Sequence, residues 1–166
     1  MFSPTPEFSL RQATDADKEE CYHIHCAAMH DVVDQVYGWD EDFQVAYFAR
    51  NWDPQEIQVV TVEDRTVGSI TLVVKPDLLH LTGFELDPAF QGRGIGTGIL
   101  KRLQAEAAGR GVPLFVGVLV VNRRAKALYD RMGFEEVGRS EVKIEMRWEM
   151  RKDDGAPSRV DEPGSV

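Results

Sequence analysis

Apolar residues in the first part of the chain fall on a helical period. Cys21, Ile24, Ala28, Val32 and Val36 recur at three- and four-residue steps, which predicts one buried helix face. Thr14-Asp15-Ala16-Asp17 has the form of a capping box with Asp in the last position, so that helix is expected to begin near Asp15. A short strand over 8–11 precedes it. Tyr37-Gly38-Trp39-Asp40 interrupts the pattern, and 41–51 predicts a second helix with Phe43, Ala46, Tyr47 and, at its margin, Arg50 on one side. The period then shortens to two. Runs at 57–62 and 66–74 predict a hairpin turning at Glu63-Asp64-Arg65, and 79–86 predicts the next strand. Ile95, Ile99, Leu100, Leu103 and Ala107 return to helical spacing, with Gly109 and Gly111 as stops. The continuous apolar run 114–121 predicts a buried strand parallel to 79–86, because a helical crossover separates them. A helix over 123–132, a short strand over 134–137 and an alternating strand over 141–151 complete the order β-α-α-β-β-β-α-β-α-β-β.

Between the strand 79–86 and the helix starting at Ile95 lies Asp87-Pro88-Ala89-Phe90-Gln91-Gly92-Arg93-Gly94-Ile95-Gly96-Thr97. A glycine-rich loop opening a helix aims unpaired backbone N–H groups at one point, at the positive end of the helix dipole, and forms a phosphate cradle. Glycine allows the backbone to approach phosphate oxygens closely. A Walker loop is excluded because Gly96-Thr97-Gly98 carries no lysine. A dinucleotide fingerprint is excluded because Thr97 stands where the third glycine belongs.

The spacing Q-x-x-G-x-G, at Gln91, Gly94 and Gly96, resembles the acyl-CoA pyrophosphate loop of the GNAT N-acetyltransferase superfamily. Asn122-Arg-Arg-Ala125-Lys-Ala-Leu-Tyr129-Asp-Arg-Met-Gly133-Phe134 resembles the second signature of that family, N-x-x-A-x-x-L-Y-x-x-x-G-F. The resemblance covers roughly residues 8–150. It implies an α/β fold with a mixed sheet of about seven strands, helices on both faces, and strands 4 and 5 parallel and splayed. It also implies acetyl-CoA as cosubstrate and direct attack by an amine in a ternary complex. Within it, the Leu86 N–H is the donor to the acetyl carbonyl, Tyr129 the acid that protonates the leaving thiolate, and Glu85 a candidate base. Gln91, Gly92, Arg93, Gly94, Ile95, Gly96, Thr97, Asn122, Leu86 and Tyr129 are the expected cofactor-binding residues. Arg124 and Lys126 lie near the second motif. Asn122 has a second reason to stand there, as the N-cap of its helix.

A length of 166 residues suits one domain over 1–151, followed by a disordered tail over 152–166 that contains two prolines and no aromatic residue. Cys21 and Cys26 stand five apart on one helix and point in different directions, which disfavours a disulfide. His23, His25, His30 and His80 show no metal-ligand spacing, so no metal is expected and these read as core or surface histidines. The formal charge of −9 argues against nucleic acid and an acidic membrane surface, and it favours a cationic ligand. No stretch is long and apolar enough for a membrane span and the N-terminus lacks a signal-peptide pattern, so a cytoplasmic location is expected. Tyr37, Trp39 and Asp40, with Glu41 beside them, place aromatics next to carboxylates, which suits an ammonium group. The expected acceptor is a small cationic amine bound between these residues and Glu85. The alternatives are the N-terminus or a lysine of a protein, or acyl-CoA binding without turnover. The resemblance also allows a homodimer.

Overall fold

The computed structural model describes residues 4–152. Among them, seven strands form one sheet in the order β1-β2-β3-β4-β5-β7-β6. The strands are β1 (Ser9–Gln12), β2 (Ile57–Val62), β3 (Arg65–Val74), β4 (Leu79–Leu86), β5 (Leu114–Leu119), β6 (Glu135–Arg139) and β7 (Lys143–Trp148). The helices are α1 (Lys18–Tyr37), α2 (Glu41–Asn51), α3 (Ile95–Arg110) and α4 (Arg123–Arg131). Only β4 and β5 run parallel, and every other neighbouring pair is antiparallel. The expected mixed sheet is therefore present. The expected tail beyond Lys152 lies outside the described residues.

Local chemistry sets the boundaries. Asp17 accepts from the Thr14 N–H at 2.9 Å, and Arg11 grips the same carboxylate through both terminal nitrogens at 2.9 and 2.7 Å. The β2–β3 hairpin turns through Glu63 and Asp64 at φ +50° and +61°, the two left-handed positions that a twisted two-residue hairpin turn requires. Helix α3 passes through Gly109 and ends at Gly111, whose φ of +67° supplies the left-handed cap. Strand β5 stops at Leu119 instead of 121 because the Asn122 N–H turns back onto the Leu119 carbonyl at 2.9 Å.

The sheet separates two apolar layers. On one face, β2–β5 and β7 pack against α3 and α4 through Ile70, Leu79, Ile95, Ile99, Leu100, Leu114 and Met146. On the other, Ala13, Cys21, Ile57 and Val59 meet Phe48 and Trp52. The α1 stripe differs from the periodic expectation, since Val33 is buried rather than Val32 and His25 joins Cys21 and Ile24. Helix α2 turns the face opposite to the expected one inward. Phe43 and Tyr47 are 56% and 46% exposed, while Gln44 is buried and Phe48 half-buried. Spacing by apolar residues alone missed this because the inward row starts with a glutamine.

Two irregularities fix the end of β4. The β3–β4 register pairs Thr71 with Gly83 but Leu72 with Leu81, so Thr82 is an extra residue. Simple alternation from Leu79 would place Glu85 on the α3 face. The bulge reverses this parity, so Phe84 and Leu86 join the α3 layer and Glu85 faces α1 and α2. The strands also approach closely at Gly68, where an added Cβ would collide with the Glu85 carbonyl oxygen and lie 2.7 Å from Leu86 Cδ2. Gly68→Ala is therefore expected to push the end of β4 outward. The destabilisation should be about 1–3 kcal/mol, the range for overpacking, read from the urea midpoint.

Candidate active site

The parallel ladder between β4 and β5 is short. Leu79, His80 and Leu81 pair with Leu114, Phe115 and Val116, and the pairing goes no further. Beyond it the strands diverge, and a cleft of about 330 Å³ opens between the end of β4, the start of α3 and helix α4. Glu85, Leu86, Gln91, Gly92, Gly94, Gly96, Thr97, Asn122 and Tyr129 all line it. Residues from the two separate sequence motifs therefore share one cavity.

The strand geometry orients the backbone at Leu86. The Asp87 N–H donates to the Val67 carbonyl at 2.8 Å, which makes Leu86 and Gly68 a non-hydrogen-bonded pair. The Leu86 N–H and C=O consequently point away from β3, into the gap left by β5. The Gln91 side-chain amide donates to that C=O at 2.9 Å. The Leu86 N–H is left facing the cleft as a donor.

In the glycine loop before α3, Gly92 and Gly94 have φ of +72° and +89°, values that favour glycine. A Cβ on Gly92 would sit 3.0 Å from Arg124 Nη2, which places this guanidinium over the loop. Arg124 and Arg131 both line the cleft. Arg93 instead stacks its guanidinium over Phe90 at 5.2 Å, and Lys126 pairs with Asp130 at 2.8 Å. Ile95 is fully buried in the core, so only its backbone is available to a ligand. The Asn122 side chain accepts from the Ala125 N–H at 3.2 Å and also lines the cleft. Tyr129 is buried edge-on to Phe134, and burial raises the pKa of its phenol.

Glu85 does not stand alone. Its Oε1 lies 2.7 Å from His25 Nδ1, and His25 Nε2 lies 3.0 Å from Gln44 Oε1. His25 is 9% exposed and sits among the rings of Tyr22, Trp39 and Phe48 at 6.3, 6.1 and 5.6 Å. Burial by itself lowers the imidazole pKa, but the hydrogen bond and charge of Glu85, with help from Gln44, outweigh it and leave the pKa raised. The sequence reading missed His25 and Gln44. The available signal was the position of His25 four residues after Cys21, inside the buried stripe.

The aromatic–acidic cluster is arranged differently from a free cage. Tyr37 is 67% exposed, and Asp40 caps α2 by accepting from the Phe43 N–H at 2.9 Å. Tyr22 Oη and Trp39 Nε1 donate to the two oxygens of Glu41 at 2.8 and 2.9 Å, which lowers the pKa of that carboxyl. Trp39 reaches the site through His25. Tyr37, Trp39 and Asp40 do not line the cleft, whereas Ala28 and Met29 of α1 do. Burial pushes the Cys21 thiol up to about 11, so it is no thiolate at neutral pH. Among the described residues, no group of three or more His, Cys, Asp or Glu could hold a metal ion, and no helix is long and apolar enough to cross a membrane.

Comparison with known proteins agrees with this fold. The acetyltransferase (GNAT) family matches residues 12–134. N-alpha-acetyltransferase RimI of Mycobacterium tuberculosis is 40% identical over 84 residues, covering 48% of this chain and 51% of that protein. The [ribosomal protein bS18]-alanine N-acetyltransferase of Salmonella typhimurium is 37% identical over 78 residues, covering 46% of this chain and 53% of that protein. The matches thus span about half the length of these relatives. The PaiA N-acetyltransferase of Thermoplasma acidophilum, solved with coenzyme A, superposes with a TM-score of 0.71 at 12% identity, over 87% of this chain and 99% of that one. The ribosomal-protein-S18-alanine N-acetyltransferase of Escherichia coli gives 0.66 at 24% identity, over 86% and 94%. The chain belongs to the GNAT family of acetyltransferases, whose members use acetyl-CoA.

The environment of His25 yields a titration test. In the native protein His25 is expected to titrate above ~6.5, the ordinary imidazole value. Glu85→Gln removes the main opposing influence to burial and should bring it below that value, as followed by NMR of the imidazole ring protons. A raised folded-state pKa contributes stability that is fully present below the unfolded pKa and lost as pH rises through the folded one. The stability lead of native protein over Glu85→Gln should therefore be larger near pH ~6 than near pH ~9.

Proposed function

We propose that this chain transfers the acetyl group of acetyl-CoA to the α-amino group of a polypeptide N-terminus. The carrying observation is the convergence of Glu85, the Leu86 N–H and Tyr129 on one cleft. The glycine loop at the start of α3 would hold the pyrophosphate, with Arg124 supplying a charge-assisted hydrogen bond. The acyl arm would follow the gap beside β4. The Leu86 N–H would donate to the acetyl oxygen, where negative charge develops. Glu85 would take a proton from the amine, which is protonated in water at neutral pH and inert until it is lost. Attack by the freed amine would form the C–N bond and put charge on the acetyl oxygen. As that intermediate collapses the C–S bond breaks, and Tyr129 would give its proton to the departing sulfur. The second proton shed by the acylated nitrogen would restore the phenol. A phenol with a raised pKa is protonated at neutral pH, as that role needs.

The polypeptide acceptor is supported by the names of the relatives, two of which are N-terminal acetyltransferases. It is also supported by the occupied carboxylates of Asp40 and Glu41, whose internal hydrogen bonds weaken the case for a dedicated cation cage. A small cationic amine is the second reading, favoured by the charge of −9.

The test follows free thiol from acetyl-CoA with a peptide bearing an N-terminal alanine and, separately, with spermidine. Faster turnover of the peptide is expected, and turnover of spermidine alone would favour the second reading. Thiol release with neither would count against both. Tyr129→Phe should lower kcat roughly 10²-fold with little change in the KM for acetyl-CoA, the signature of a group acting in the transition state. Arg124→Ala should do the reverse, raising that KM by about 10-fold with kcat nearly kept, as expected for lost uniform binding of phosphate.

A further inference from the structure

Resting on the proposed role of Glu85, we infer that His25 is a positioning residue that fixes one oxygen of that carboxylate so that the other is presented to the acceptor amine. Three elements meet at this point. His25 comes from α1, Gln44 from α2 and Glu85 from the end of β4. Each of the two imidazole nitrogens faces an oxygen, Nδ1 at 2.7 Å from Glu85 Oε1 and Nε2 at 3.0 Å from Gln44 Oε1. Two oxygen partners suit a ring carrying protons on both nitrogens, because only then do both contacts become hydrogen bonds. Of the three residues, Glu85 alone lines the cleft. His25 and Gln44 stand behind it.

The surroundings give this contact its strength. Tyr22, Trp39 and Phe48 close around the imidazole and keep water from competing for Glu85. Charged and titratable groups near the ring are few. From α1 there is Tyr22, from α2 the uncharged Gln44, and from β4 Glu85. Glu41 is engaged by Tyr22 and Trp39, not by His25. The carboxylate that the imidazole grips is thus the one at the proposed chemical centre. Glu85 also needs such a grip. It sits where β4 has left its parallel partner, with the sheet holding it from one side only. A glutamate has three side-chain torsions, and a misplacement of about 1 Å in a catalytic group can lower rate by 10²-fold.

Side-chain length makes the idea testable. Asparagine at position 25 places its amide N–H near the site of Nδ1 and can still donate to Glu85. Glutamine places its amide near Nε2 and can reach Gln44 instead. Turnover is measured with acetyl-CoA and the alanine-terminated peptide, or spermidine if that is the acceptor used. His25→Ala should lower kcat by roughly 10- to 10²-fold with the KM for acetyl-CoA within about twofold. His25→Asn should recover most of the loss and His25→Gln little of it. In a Glu85→Gln background, His25→Ala should have no further effect, because the residue acts through Glu85. Equal recovery by Asn and Gln, or a kcat for folded His25→Ala within twofold of native, would overturn the inference. If His25→Ala does not fold, the Asn–Gln comparison decides alone, since both keep a polar side chain. Undiminished turnover in Glu85→Gln would instead remove Glu85 from the proposed chemistry, and this inference with it, while acetyl transfer itself would stand.

Discussion

The constraint on which the rest of this structure depends is the early end of the β4–β5 ladder. A parallel pair inside a sheet ordinarily continues because each unpaired backbone group loses a partner without gaining water. Here pairing stops at Leu81 and Val116 while both strands run on. The consequence is a wedge-shaped gap with the polar edge of β4 exposed along it. One group on that edge, the Leu86 carbonyl, is satisfied internally by Gln91. The neighbouring N–H points into the gap. Strand β5 avoids the same exposure on its far side by pairing with β7 along its whole length, from Leu114 to Leu119. The opening is therefore supported by a continuous antiparallel seam next to it.

Register then decides what the gap contains. Without the extra residue at Thr82, Glu85 would point into the apolar layer around α3, where an ionised carboxylate has no counter-charge. With it, Glu85 faces α1 and meets a buried imidazole. The bulge, the close approach at Gly68 and the His25 contact act on the same two residues, Glu85 and Leu86. Adjacent positions thus face different ways, the Leu86 N–H into the gap and the Glu85 carboxylate toward α1 and α2.

Much of this was legible in the sequence, for identifiable reasons. The glycine loop and the segment from Asn122 to Phe134 are local, since their chemistry depends on residues close in the chain. Their placement on one cavity follows from the strand–helix order. The hairpin at Glu63 and Asp64 was likewise a local signal. What escaped is non-local. Within 79–86 Gly83 is a weak sign of a bulge, but the extra residue at Thr82 is defined only relative to β3. His25 and Gln44 looked like ordinary polar residues on helices, and they acquire meaning only by meeting Glu85, 60 residues away from His25. The inward face of α2 was misread for the same reason, since a buried glutamine is invisible to a rule that counts apolar positions.

The glycines show how one sequence signal can carry several physical causes. Gly92, Gly94 and Gly96 were first read as clearing space for phosphate. The structure gives each a separate neighbour. An added Cβ would meet Arg124 at Gly92, Thr5 at 2.6 Å from Gly94, Leu128 at 3.3 Å from Gly96 and Phe8 at 2.7 Å from Gly98. Phe8 is held there by Arg102, whose guanidinium lies 4.3 Å over its ring. The segment before β1 is thus packed onto the outer side of the loop whose inner side lines the cleft. Gly94 and Gly98 belong in part to that outer seam, and Gly94 also carries a left-handed φ. A side chain at Gly94 would strain the backbone and displace Thr5 together, so loss of ligand there would not by itself locate the phosphate. Arg124 is the cleaner probe, because it faces the loop from α4 through its side chain and leaves both the turn and the seam intact.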